Sequence, residues 1–106
     1  MGYLLTDFYI DPVFLLAAMV PIKIYSNAEA DKSKILSDNK DKSGIYMWKN
    51  NLNNKKYIGS AIDLSNRLSK YYYNIILKNI LKRSNSHICR ALLKNGHSNF
   101  SVTILE

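Results

Sequence analysis

The sequence predicts a small α/β sandwich, a three-stranded mixed or antiparallel sheet flanked by helices. Three observations carry this expectation. Residues 45–49 and 56–60 are two short strand-like runs around the turn-prone loop NNLNN. From Leu64 to Asn95 apolar residues recur at helical spacing. The segment NFSVTIL, 99–105, then alternates Phe100, Val102 and Ile104 against Ser101 and Thr103, as a half-buried strand does.

Taken in order, residues 1–21 are apolar and nearly uncharged, unlike the rest of the chain. They are read as an N-terminal tail, weakly docked or disordered, with an upstream coding extension as the other reading. Residues 22–43 form a second unit. IKIY, 22–25, alternates enough for a short strand. Ser26 and Glu29 have capping-box spacing for a helix over about 27–37. DNKDKS, 38–43, is a linker. The main domain spans 44–106. Within it Asp63 is placed to cap a helix from Leu64, with Leu64, Leu68, Tyr71 or Tyr72, and Ile75 on one stripe. NIILKNIL extends or follows that helix. Ser84 or Ser86 caps another helix through Asn95, with Ile88 and Leu92 inward, and Gly96 suits its C′ position.

Composition narrows the partners. The chain of 106 residues is one domain, large enough to bury a core without staples. Its single cysteine, Cys89, excludes an internal disulfide framework and reads as packing. The net charge is +7. Residues 44–106 hold ten Lys or Arg against Asp63 and Glu106, giving +8, and residues 1–43 hold five Lys against six acids, giving −1. A basic unit of that size points to a polyanion, either nucleic acid or an anionic membrane surface. VFLLAAMV, 13–20, is too short to span a bilayer. The first twenty residues contain no Lys or Arg but carry Asp7 and Asp11, which fits neither a secretory signal nor a mitochondrial presequence. Heavy use of Ile, Lys and Asn matches AT-rich codons, as in many organellar genomes and in bacterial ones. A protein working in an organelle would then be made there.

Four side chains stand out chemically. With an even loop, opposed hairpin residues have odd index sums. Tyr46 and Trp48 then share a face with Tyr57 and Gly59, while Ile45, Met47 and Ile58 turn to the other face, toward the core. The two phenols are either a cross-strand aromatic pair or a paired polar site beside the space Gly59 leaves. Arg67, one turn into the next helix, is either a stem packed on the core or a phosphate clamp. Glu106, at the end of an apolar strand face, is either a frayed terminal residue or a ligand for a hard divalent cation. His87 and His97 lack a cysteine pair at zinc spacing and read as surface groups.

Gly-Ile-Tyr at 44–46 and Tyr-Ile-Gly at 57–59, followed by GSAIDLSNRL with Arg67 and by GHSNFSVTILE, closely resemble the GIY-YIG nuclease domain. The likeness is greatest to homing endonucleases encoded in group I introns of fungal mitochondrial genes. It implies a DNA endonuclease that hydrolyses phosphodiester bonds with one divalent metal ion, normally Mg²⁺. In that scheme Tyr46 is the general base, Tyr57 orients water or phosphate, Arg67 stabilises the phosphate, and Glu106 holds the metal. A phenol is a weak base at neutral pH, so the metal, Arg67 and lysines such as Lys55, Lys56 and Lys70 would have to favour its ionised form. Gly59 and Tyr71 complete the substrate-binding set. Tyr71 stands where some members carry His. The family domain continues past the Glu into a helix that often supplies Asn, and homing enzymes add C-terminal DNA-binding modules, so 44–106 is expected to be C-terminally truncated. The resemblance further implies a monomer acting on double-stranded DNA in the mitochondrion, organelle-encoded, with no stable membrane partner. The alternatives are a catalytically degenerate DNA- or RNA-binding fragment, and a repair- or restriction-type GIY-YIG nuclease.

Overall fold

The computed structural model describes residues 21–105. The expected tail, apart from Pro21, and Glu106 lie outside the described residues.

The hairpin forms as its pattern requires. β2 (Gly44–Asn50) and β3 (Lys56–Ala61) pair antiparallel around Asn51–Asn54, with Tyr46 opposite Gly59 and Trp48 opposite Tyr57. The opposed residues have odd index sums, so the predicted sharing of faces holds. The loop is locked by its own side chains. The Asn50 and Asn53 amide oxygens accept from the backbone N–H of Leu52 and Lys55, and Asn54 takes the left-handed region at φ 63°. Asn tolerates that region better than other non-glycine residues.

The sheet has four strands rather than three, and all neighbours are antiparallel. β1 (Lys23–Tyr25) adds to β4 (Phe100–Ile104), giving the order β1-β4-β2-β3. IKIY predicted the strand but held no local signal for a partner almost eighty residues away. Strand β1 and the helix after it share the central core through Tyr25, Ala28 and Ile35.

That helix, α1 (Lys32–Asp38), starts later than predicted. The Ser26–Glu29 capping box does not form. Instead the Asn27 amide oxygen accepts from the N–H of Glu29 and Ala30, each at 3.0 Å. This Asx turn competes with the first helical turn. α2 (Leu64–Lys70) begins as expected, with Asp63 Oδ1 accepting from Asn66 N at 3.0 Å. It ends at Tyr71, and α3 (Asn74–Arg83) comes next as a separate helix with Leu77 inward. The break rotates Ile75 off the predicted stripe, and it is 71% exposed. α4 (His87–Asn95) is capped by Ser86, whose Oγ accepts from Cys89 N, and Gly96 leaves it at φ 80°. His97–Asn99 form one 3₁₀ turn into β4.

One expectation of faces is corrected. The face carrying Tyr46, Trp48 and Tyr57, not that of Met47 and Ile58, is the one the helices cover. It joins Leu64, Leu68, Tyr71, Leu77, Ile88, Leu92, Phe100 and Val102 in the main core. Met47, Ile58 and Leu105, with Ile45, form a smaller cluster. β4 is buried on both faces, not half-buried. Strand periodicity says which residues share a face; it does not say which face receives the helices. No described helix is long and apolar enough to cross a membrane.

Candidate active site

The β2–β3 pairing sets the first part of the site. Tyr46 lies opposite Gly59 and its ring crosses over that glycine. A Cβ built on Gly59 would lie 2.5 Å from Tyr46 Cζ, so the position has room for the ring only because it is glycine. The Tyr46 hydroxyl is 2.7 Å from that of Tyr71, and the two rings meet edge to face at 5.8 Å. Tyr57, opposite Trp48, is the diagonal neighbour of Tyr46 on the same face. The two phenols therefore do share a surface. It is a tightly packed surface, because Tyr46 is only 1% exposed.

Arg67 reaches this corner from α2. The Asp63 cap fixes the start of the helix, and one turn later Arg67 Nη1 donates to the carbonyl of Ser60 at 3.4 Å. Ser60 is the residue after Gly59, so the guanidinium sits at the same end of the hairpin as Tyr46. Among the described residues this is its one bond. Its planar fork of five donors therefore has capacity left for an anion. Arg67 lines a cleft of about 230 Å³ with Ala61, Ile62, Asp63, Asn66 and Lys70.

The remaining candidates divide. Lys70 lies on the Arg67 cleft. Tyr71, expected to bind substrate, is buried and joins Tyr46 to the core. Lys55 and Lys56 are not brought to the tyrosines. Lys55 lies in the exposed hairpin loop, and Lys56, three residues from Gly59, faces away from the helices opposite Lys49. The parity rule that joined Tyr57 to Tyr46 already placed Lys56 on the other face. Glu106, expected to hold the metal, lies outside the described residues. The described residues contain no cluster of three or more His, Cys, Asp or Glu able to hold a metal ion. The polar side chains beside Arg67 include the oxygen donors of Asp63 and Asn66 but no thiol or imidazole. That lining also carries the cations of Arg67 and Lys70, and its one carboxylate, Asp63, caps α2, so a hard divalent cation there would need a further carboxylate besides water and phosphate oxygens.

Two residues not assigned to the site buttress it. The His97 ring nitrogen Nε2 lies 2.7 Å from the Tyr71 carbonyl oxygen, so this contact requires the Nε2–H form as donor. Its ring stacks on Tyr72 at 5.0 Å and meets the edge of Trp48. His97 is thus half-buried and part of the aromatic packing, more than the plain surface group expected. No local pattern signals this, because its partners come from β2 and the end of α2. Tyr72 donates its hydroxyl to the Ala28 carbonyl at 2.7 Å. Burial, reinforced by Asp31, holds its phenol well above the ordinary tyrosine range. The sign comes from linkage: a raised folded-state pKa gives stability fully present below about pH 10, the unfolded value, and lost as pH rises through the folded one. The melting temperature should fall above pH 10, and fall less in Tyr72→Phe; equal falls in both would exclude Tyr72 as the group responsible.

Fold and site together define a small basic α/β domain with paired tyrosines and an arginine at one corner of its sheet. The family described as the GIY-YIG catalytic domain matches residues 42–106, and the chain belongs to it. It is 38% identical over 90 residues to a "Probable intron-encoded endonuclease 1" of Neurospora crassa, covering 82% of this chain and 27% of that protein. It is 42% identical over 66 residues to "Intron-associated endonuclease 1" of Enterobacteria phage T4, covering 61% and 25%. The chain thus spans about a quarter of the length of these relatives. No solved structure matches it.

Proposed function

We propose that this chain is the catalytic part of an intron-encoded, homing-type endonuclease that hydrolyses phosphodiester bonds in double-stranded DNA. One observation carries the reading: the Tyr46 ring lies across Gly59 with its hydroxyl on Tyr71, while Arg67 is anchored on the adjacent Ser60 carbonyl. Family membership and the names of the two relatives support it. The +8 charge of residues 44–106 supplies long-range attraction for the polyanion.

In this reading Arg67 holds the scissile phosphate with its uncommitted donors and stabilises charge there as the bond breaks. Tyr46 acts as the phenolate: it accepts the hydrogen bond of the Tyr71 hydroxyl, which keeps it aligned, and takes the proton of the attacking water. Tyr57, on the same face, orients water or phosphate. Glu106 is the proposed ligand for Mg²⁺, which when bound supplies Lewis-acid polarisation of phosphate and water. The chain acts as a monomer. Its residue usage supports an organellar, mitochondrial origin. A second reading, a nucleic-acid-binding domain without turnover, is favoured by one observation: Tyr46 is almost fully buried.

Supercoiled plasmid with Mg²⁺ tests the proposal. Nicking should appear with the metal and vanish when EDTA removes it. Equal nicking with and without EDTA would exclude the metal-dependent reaction.

A further inference from the structure

We propose that a second cleft, between β1 and the connection into β2, binds a nucleotide of the cut strand next to the scissile phosphate, with its phosphate at Lys23 and Lys42. This rests on the reading of the Tyr46–Arg67 corner as a DNA-cutting site. The cleft measures about 590 Å³, within the roughly 300–1,000 Å³ of typical small-ligand sites.

Its position comes from the register. Lys23 pairs with Ile104, Ile104 with Tyr46, and Tyr46 with Gly59, so the four residues form one row across the sheet. At about 4.8 Å per strand, Lys23 stands roughly 10 Å from Tyr46 along that row. Lys42, which also lines the cleft, lies just before the hairpin. Its carbonyl accepts from Leu64 N at 2.8 Å, which ties this part of the cleft to the start of α2, the helix that carries Arg67. Both lysines are exposed.

The floor is built in advance. Tyr25 is 3% exposed, and its hydroxyl donates to Asp38 Oδ2 at 2.9 Å. The Asn39 amide donates to the Ile35 carbonyl at 2.7 Å. Asp38 faces the cleft, so the two ammonium groups act against one carboxylate already occupied by a phenol. Leu64 and Ile104 supply an apolar wall for a sugar or base. Two cations together with an apolar side suit a nucleotide better than a bare anion. Most of this construction falls in residues 22–41, outside the segment that matches the family.

Fluorescence anisotropy with a labelled DNA duplex across a salt series tests the proposal on the full 106-residue chain. The variant Lys23→Ala/Lys42→Ala is compared with Lys78→Ala/Lys94→Ala, which removes the same charge from exposed positions on α3 and α4. The cleft variant should bind roughly tenfold more weakly than the control, with a salt slope shallower by about one unit than wild type, as the loss of one phosphate contact requires. Circular dichroism should show both folded. Equal affinity and slope in the two variants would overturn the cleft, even if the wild type nicks DNA. The expected difference without any nicking would uphold the cleft as a binding site and sink the catalytic reading. A wild type that binds no duplex at low salt would overturn both.

Discussion

Arg67→Ala should reduce plasmid nicking by roughly a hundred- to a thousandfold, the usual cost of removing one preorganised donor from a developing charge. The fold should survive the change, because among the described residues the Arg67 side chain makes a single 3.4 Å bond to a backbone carbonyl, and it lies outside the main core. Duplex affinity should fall much less, since one of the fifteen Lys and Arg residues is lost. The mixed outcome is the informative one. Single-turnover rates and anisotropy on the same oligonucleotide separate the effects. Parallel losses of binding and cutting would mean that Arg67 serves general attraction and not the reacting phosphate. Arg67→Lys should restore charge but little rate, because an ammonium cannot reproduce the planar fork.

Gly59→Ala should cost both stability and activity. The added carbon would sit 2.5 Å from Tyr46 Cζ, closer than carbon atoms can approach, so the ring must swing away. Overpacking of this kind costs roughly 1–3 kcal/mol. The swing also breaks the 2.7 Å contact between the Tyr46 and Tyr71 hydroxyls. Chemical denaturation checks the first effect. A double-mutant cycle identifies the cause: in a Tyr46→Ala background the same glycine change should cost close to nothing, because the clash is gone. A full cost in that background would mean that Gly59 is required by the backbone of β3 and not by the ring.

These two positions also show what a sequence can reveal. The mirrored tripeptides and an even loop fix Tyr46, Trp48, Tyr57 and Gly59 to one face by period alone, and that geometry holds. The caps at Asp63 and Ser86 are local hydrogen bonds between residues three apart, so they too are readable. Apart from the Ser26–Glu29 cap, which loses to a local Asx turn at Asn27, what fails is non-local. Nothing near Lys23 announces Ile104 as its partner. Nothing near Met47 says that the helices will settle on the opposite face. Both are decided by how the whole chain buries its area. Gly59 illustrates the middle case. The expected room beside the phenols exists, but the Tyr46 ring itself fills it. The aromatic packing of Tyr71, Tyr72 and His97 around Trp48 arises only once α2 ends at Tyr71, which turns consecutive tyrosines to different partners.

The buried Tyr46 hydroxyl puts the weight of the catalytic reading on one comparison. Single-turnover cleavage of a labelled duplex, run with Mg²⁺ on the wild type, Tyr46→Phe and Arg67→Ala, meets it directly when binding is recorded on the same samples. The expected result is cutting by the wild type, loss of cutting in both variants, and binding retained in all three. Duplex binding by all three proteins with no cutting by the wild type at any Mg²⁺ concentration would contradict it and leave a nucleic-acid-binding domain without turnover.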